Sequence, residues 1–168
     1  MPGRSSSVDS ASEGGEVRNI LALDLGTTTG WAMNTEAGYK WGHFDVKPTA
    51  DDSWGMRWVY FRRELSGLFT LPVDLVVYET NHFTRGKSAV RVMAGLVAHL
   101  QEFCLSLPEP VQYHGVPVVT IKSHATGKGN AGKVDMVKQA TKLTGFILTE
   151  DEADAICLLD LAVMKWGK

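Results

Sequence analysis

The residues of this chain that could do chemistry together are four acids set apart by their surroundings rather than their number. Asp24 ends the apolar run Ile20-Leu21-Ala22-Leu23, and Glu79 ends the similar run Leu75-Val76-Val77-Tyr78. Asp151 and Asp154 stand three residues apart at the start of a helical pattern, which puts both on one side of it. An acid inside a buried strand is costly unless its charge is compensated. Carboxylates that converge without bases between them repel, so a cluster of them calls for cations. Hard divalent ions with oxygen ligands, Mg²⁺ or Mn²⁺, suit such a cluster. Two such ions about 3.5–4 Å apart can stabilise both the attacking and the leaving oxygen of a phosphoryl displacement.

Simpler accounts compete for each acid. After Asp24 come Leu25-Gly26-Thr27-Thr28-Thr29-Gly30, a turn that Asp24 could merely cap. Thr149 with Glu152 three residues later forms a capping box, and acids favour helix N-termini in any case. That accounts for Glu150, Asp151 and Glu152 but not for Asp154, which opens the apolar run Ala155-Ile156-Cys157-Leu158-Leu159.

Basic residues complement the acids. Lys122, Lys128, Lys133, Lys138 and Lys142 face a single acid, Asp135, between positions 122 and 142. Arg85, Lys87 and Arg91 follow Glu79 with no acid nearby. Basic segments around an acidic metal site fit a phosphodiester polymer, whose phosphates the lysines engage. The glycine-rich setting of Lys122, Lys128 and Lys133 favours phosphate contact, whereas Lys138 and Lys142 read as the solvated face of a helix.

The elements that must position these groups follow from hydrophobic patterning. The run up to Asp24 is a buried strand, and Gly30–Thr35 and Tyr39–Val46 form two more around an antiparallel turn at Glu36-Ala37-Gly38. Trp54, Trp58, Phe61, Leu65, Leu68 and Phe69 follow helical spacing, with the tryptophans expected in the core. Asp74–Glu79 is a strand, a helix spans about 88–105, and Val116–Ile121 is a further strand leading into Lys122. Helices over about 134–143 and from 150 to about 165 complete the chain. Strands first, then strand and helix in alternation, predict a mixed α/β sheet with helices on its faces. If the strands ending in Asp24 and Glu79 are parallel neighbours, their carboxylates meet at the sheet edge where open α/β sheets bind ligands.

The 168 residues, 44% hydrophobic and 21% charged, predict one ordinary globular domain over 18–168. Residues 1–17, rich in Ser, Gly and acids, read as a disordered arm or an expression remnant. No apolar stretch approaches the ~20 residues that span a bilayer, and no membrane role is expected. Cys104 and Cys157, without a Cys-x-x-Cys pair, read as small buried hydrophobes in a reducing cytoplasm.

With these motifs in place, the chain resembles the RuvC-type Holliday junction resolvases of the RNase H-like superfamily, more closely their phage-encoded relatives. LALDLGTTTGWA, VVYET, IKSHATGKGNAGK and DEADA carry the resemblance, in order and spacing, from about residue 19 to 160. It implies an RNase H-like sheet, with an antiparallel three-stranded hairpin region plus parallel strands, flanked by helices. It implies that Asp24, Glu79, Asp151 and Asp154 hold two Mg²⁺, with Mn²⁺ able to substitute, and that Lys122 and Lys133 are the family's two functional lysines. It further implies a homodimer that nicks four-way junctions or other branched DNA in pairs, leaving 5′-phosphate and 3′-hydroxyl ends. Phe83, preceded by His82, is one position out of register with the family's junction-wedging aromatic, so stacking on a base and packing under the loop both stay open. Phe83, Arg85, Lys87 and Lys128 complete the expected DNA contacts.

Two other classes share parts of this pattern. Asp24-Leu25-Gly26-Thr27-Thr28 also looks like the first phosphate loop of the actin, Hsp70 and sugar-kinase superfamily. Those proteins need a second domain and a second glycine-threonine loop, and no nucleotide cofactor is expected here. An RNase H-like nuclease acting on RNA shares the first strand but not the Lys122–Lys133 segment, and retention of all four acids argues against a catalytically inactive DNA-binding module.

Overall fold

The computed structural model describes residues 18–80 and 86–167. Five strands form one mixed sheet: β1 (Ile20–Asp24), β2 (Thr28–Thr35), β3 (Gly38–Asp45), β4 (Leu75–Thr80) and β5 (Gln112–Pro117), in the order β3-β2-β1-β4-β5. β1, β2 and β3 are antiparallel, whereas β4 and β5 run parallel to β1 and to each other. Helices α1 (Met56–Leu68) and α2 (Lys87–Ser106) cover one face, and α3 (Val118–Thr126), α4 (Lys133–Thr144) and α5 (Glu150–Trp166) the other. The mixed sheet expected from the sequence, an antiparallel three-stranded region plus parallel strands flanked by helices, is the one observed.

β1 is apolar throughout because it is central and covered twice. Ile20, Leu21, Ala22 and Leu23 are all fully buried. Strand alternation sends Ile20 and Ala22 into the core under α3, α4 and α5, and Leu21 and Leu23 into the core under α1 and α2. By the same alternation Asp24 projects on the α5 side. In β4, Leu75 and Val77 share that side, which carries Glu79 to it as well.

Two sequence expectations fail locally. The strand expected over Val116–Ile121 holds only for Val116 and Pro117, where β5 ends, and Val118 starts α3. Pro117 has no N–H for a ladder and its extended backbone serves as the N-cap. Beyond it Ile121 is buried and Val118 half-buried, three residues apart, while Val119 is exposed, which is helical spacing. Lys122 therefore sits on a helix. Gly127, with φ of 76°, ends α3 in the left-handed conformation that favours glycine. Trp54 lies before α1 and is 47% exposed rather than in the core. It meets Trp58 edge-on at 5.2 Å, and the Arg91 guanidinium lies over its ring.

Both cysteines are buried and free, and burial pushes the Cys104 thiol up to about 11 and the Cys157 thiol up to about 12. Among the described residues no helix is long and apolar enough to cross a membrane.

Candidate active site

Strand register assembles the first half of the site. β1 and β4 pair Leu23 with Tyr78, and one step further the same register sets Asp24 beside Glu79 at the C-terminal edge. Across the sheet Asp24 pairs with Gly30, and Gly30 with His43, so these positions form one row on the α5 side.

The start of α5 supplies the second half. Thr149 Oγ1 accepts from the Glu152 N–H at 3.3 Å, and the Glu152 carboxylate accepts from the Thr149 N–H at 2.9 Å. This is the capping box expected from the sequence. Two contacts seat that first turn on the sheet. A Cβ on Gly30 would lie 2.0 Å from the Asp151 carbonyl oxygen, so only glycine lets the α5 backbone settle there. The Glu152 carboxylate also lies 3.0 Å from Nδ1 of His43. Burial pushes the Glu152 carboxyl up, but hydrogen bonds from the Thr149 backbone and from His43 outweigh it and hold it below its ordinary value.

Asp154, one turn further in, is the electrostatic centre of the described residues. Burial raises its carboxyl to about 6, opposed by Lys122, reinforced by Asp151, opposed by Lys133 and reinforced by Glu150. Lys122 and Lys133, distant in sequence, thus act on Asp154 together with its neighbour Asp151. Lys133 also forms an exposed ion pair with Glu150.

Other predicted residues fall elsewhere. Lys87 is the first residue of α2, and no hydrogen bond or ion pair among the described residues ties it to the acids. Lys128 sits in the loop after α3, where its N–H donates to Thr126 Oγ1 at 3.2 Å. Lys138 and Lys142 are exposed on α4, the solvated face expected, and with Lys128 and Asp135 they border an open cleft beside α3. Phe83 and Arg85 lie outside the described residues. The sequence reading missed His43. Its signal was the hairpin register: once Thr35 pairs with Gly38, Gly30 must pair with His43.

No family model matches the sequence, and no curated protein matches it. Solved structures do. Thermus thermophilus RuvC in complex with a Holliday junction substrate superposes with a TM-score of 0.72 at 16% identity, covering 90% of this chain and 98% of that one. The fold is that of RuvC. A second Thermus thermophilus RuvC structure gives 0.69 at 17% identity, over 89% of this chain and 98% of that one. Fowlpox virus resolvase with Holliday junction DNA gives 0.53 at 15% identity, over 88% and 97%. The RuvC fold thus extends over nearly the whole chain, and the row from Glu79 through Asp24 to Gly30 lies at one edge of its sheet.

The residues fit a divalent cation in kind. Every candidate donor is a carboxylate, a hard oxygen ligand. Burial leaves the Asp154 charge one that Lys122 and Lys133 only partly compensate. Among the described residues no three acidic, imidazole or thiol side chains are gathered tightly enough to enclose one ion as they stand.

Proposed function

We propose that this chain is a metal-dependent endodeoxyribonuclease that resolves four-way junctions and related branched DNA by paired nicks. The observation that carries the reading is the joining of Asp24 and Glu79 by strand register to an α5 whose Asp154 acts on Asp151, Lys122 and Lys133. Support comes from the RuvC fold, since two neighbours with that fold are described with Holliday junction DNA.

Asp24, Glu79, Asp151 and Asp154 would hold two Mg²⁺, or Mn²⁺ in their place. Those ions, when bound, supply charge stabilisation to the attacking and leaving oxygens of phosphodiester hydrolysis. The chain's own residues do the rest. Lys122 and Lys133 draw the cleaved phosphate toward the acids and offset the Asp154 charge. Gly30 and His43 hold the first turn of α5 against β2 and β3, fixing Asp151 and Asp154 relative to Asp24. Phe83, Arg85, Lys87 and Lys128 add contacts to the DNA around the cut. Hydrolysis leaves 5′-phosphate and 3′-hydroxyl ends.

In this reading two copies act together, one on each continuous strand. The groove beside Glu79, bordered by Met93, Ala94, Val97 and Ala98 of α2, supplies apolar surface for the pairing. The protein would work in the cytoplasm of a bacterial or phage-infected cell; residues 1–17, read from the sequence as an arm, lie outside the described residues.

The test is cleavage of labelled four-way junction, Y-fork, linear duplex and RNA–DNA hybrid, each with Mg²⁺ or Mn²⁺. Symmetric paired nicks in branched DNA are expected. Cleavage of the hybrid alone would overturn the choice of substrate, and ATP binding without cleavage of any nucleic acid would overturn the reading.

A further inference from the structure

Arg57 is a charged residue inside the wrong core. It lies on α1, is only 8% exposed, and sits on the side of the sheet opposite α5. Among the described residues no carboxylate pairs with it, and its Nε, buried, has no hydrogen-bond partner. Among the described residues its one side-chain hydrogen bond runs from Nη1 to Thr27 Oγ1 and is long, at 3.5 Å. A buried guanidinium with so little compensation is costly. Packing of its aliphatic stem explains the burial of the stem, not the destination of the charge.

That destination is the turn between β1 and β2. The turn is held from within: Thr29 Oγ1 donates to the Gly26 carbonyl at 2.9 Å, and the Thr27 carbonyl accepts from the Val46 N–H at 2.8 Å. Thr27 itself is exposed, three residues past Asp24, so the hydroxyl that the guanidinium reaches belongs to a surface residue. The edge thus has lysines on its α5 side and an arginine on the other. We propose that Arg57 and Thr27 bind a backbone phosphate of the DNA strand that crosses this edge, next to the phosphate that is cut. The assignment rests on the nuclease reading above. It gives the buried charge its counter-ion: an anion brought by the substrate, held by the planar donor fork that suits phosphate oxygens.

The test is binding of the full chain to a labelled four-way junction in EDTA, over a range of salt, together with thermal melting. Arg57→Met keeps the bulk of the side chain and removes its charge. It should leave the melting temperature unchanged or higher, because an uncompensated buried charge has gone. It should also weaken binding about tenfold near 0.1 M salt and make the log–log salt slope shallower by about 0.9, one phosphate contact. Arg57→Lys should keep the slope. Thr27→Val, at an exposed position, should weaken binding without changing the slope, which keeps the assignment testable should Arg57→Met not fold. An unchanged slope in folded Arg57→Met would overturn the assignment, and so would full-strength binding by Thr27→Val. Failure of the parent to bind any DNA would instead overturn the nuclease reading beneath it.

Discussion

Asp154→Asn should make the metal-free protein more stable while destroying its activity. Burial raises the Asp154 carboxyl from 3.8 to about 6, so the folded state holds a proton that the unfolded state releases. Folding is then favoured by proton binding: below the unfolded value Asp154 costs nothing, and stability is lost as pH rises toward the folded value of about 6. Above that the full cost applies, about 3 kcal/mol, and less once the partial exposure of the side chain is allowed for. At pH 4 only about 0.5 kcal/mol of it remains by the same linkage. Asparagine has nearly the same shape and carries no charge. In EDTA the variant should therefore exceed the parent by about 1–3 kcal/mol at pH 8, or roughly 2–10 °C in melting temperature, and nearly match it at pH 4. Urea unfolding of both proteins across that pH range isolates the effect, because titrating groups that do not interact with Asp154 cancel in the difference. Adding Mg²⁺ should stabilise the parent by mass action and leave the variant behind. A variant no more stable than the parent at pH 8, or a difference that does not grow between pH 4 and 7, would refute the account of a buried, under-compensated carboxylate.

Three further outcomes follow from the same geometry. Asp24→Asn should abolish Mg²⁺-dependent junction cleavage yet leave junction binding intact in a gel-shift assay; full cleavage would remove Asp24 from the ligand set. Gly30→Ala would place a methyl group 2.0 Å from the Asp151 carbonyl oxygen, so the start of α5 must move. A loss of about 1–3 kcal/mol in urea unfolding is expected, with loss of cleavage. His43→Ala should raise the Mg²⁺ concentration needed for half-maximal cleavage several-fold and speed hydrogen exchange in the first turn of α5, and His43→Gln, still able to donate to Glu152, should restore much of both.

How much of this was legible in the sequence depends on the range of the interaction that decides it. The burial of Ile20–Leu23, the strand-end position of Asp24 and Glu79, the capping box at Thr149 and the end of α4 before Gly145 are all written in neighbouring residues. They come from side-chain alternation, helical spacing and local backbone hydrogen bonds, so they can be read without knowing what packs where. Val116–Ile121 misled because β-branched residues favour strands locally, while Pro117 and the inward-facing Ile121 decide for a helix. The pairing of Leu23 with Tyr78, the fit of Asp151 onto Gly30, the His43–Glu152 contact and the reach of Arg57 to Thr27 join segments tens of residues apart. Nothing local specifies such contacts; they exist because burying two apolar faces of one sheet fixes the strand order and the seat of each helix. By itself the sequence singled out acids and lysines whose chemistry suits metal and phosphate. Only the tertiary structure decided which of them share an edge and which charge lies buried, because proximity and desolvation belong to the packed chain.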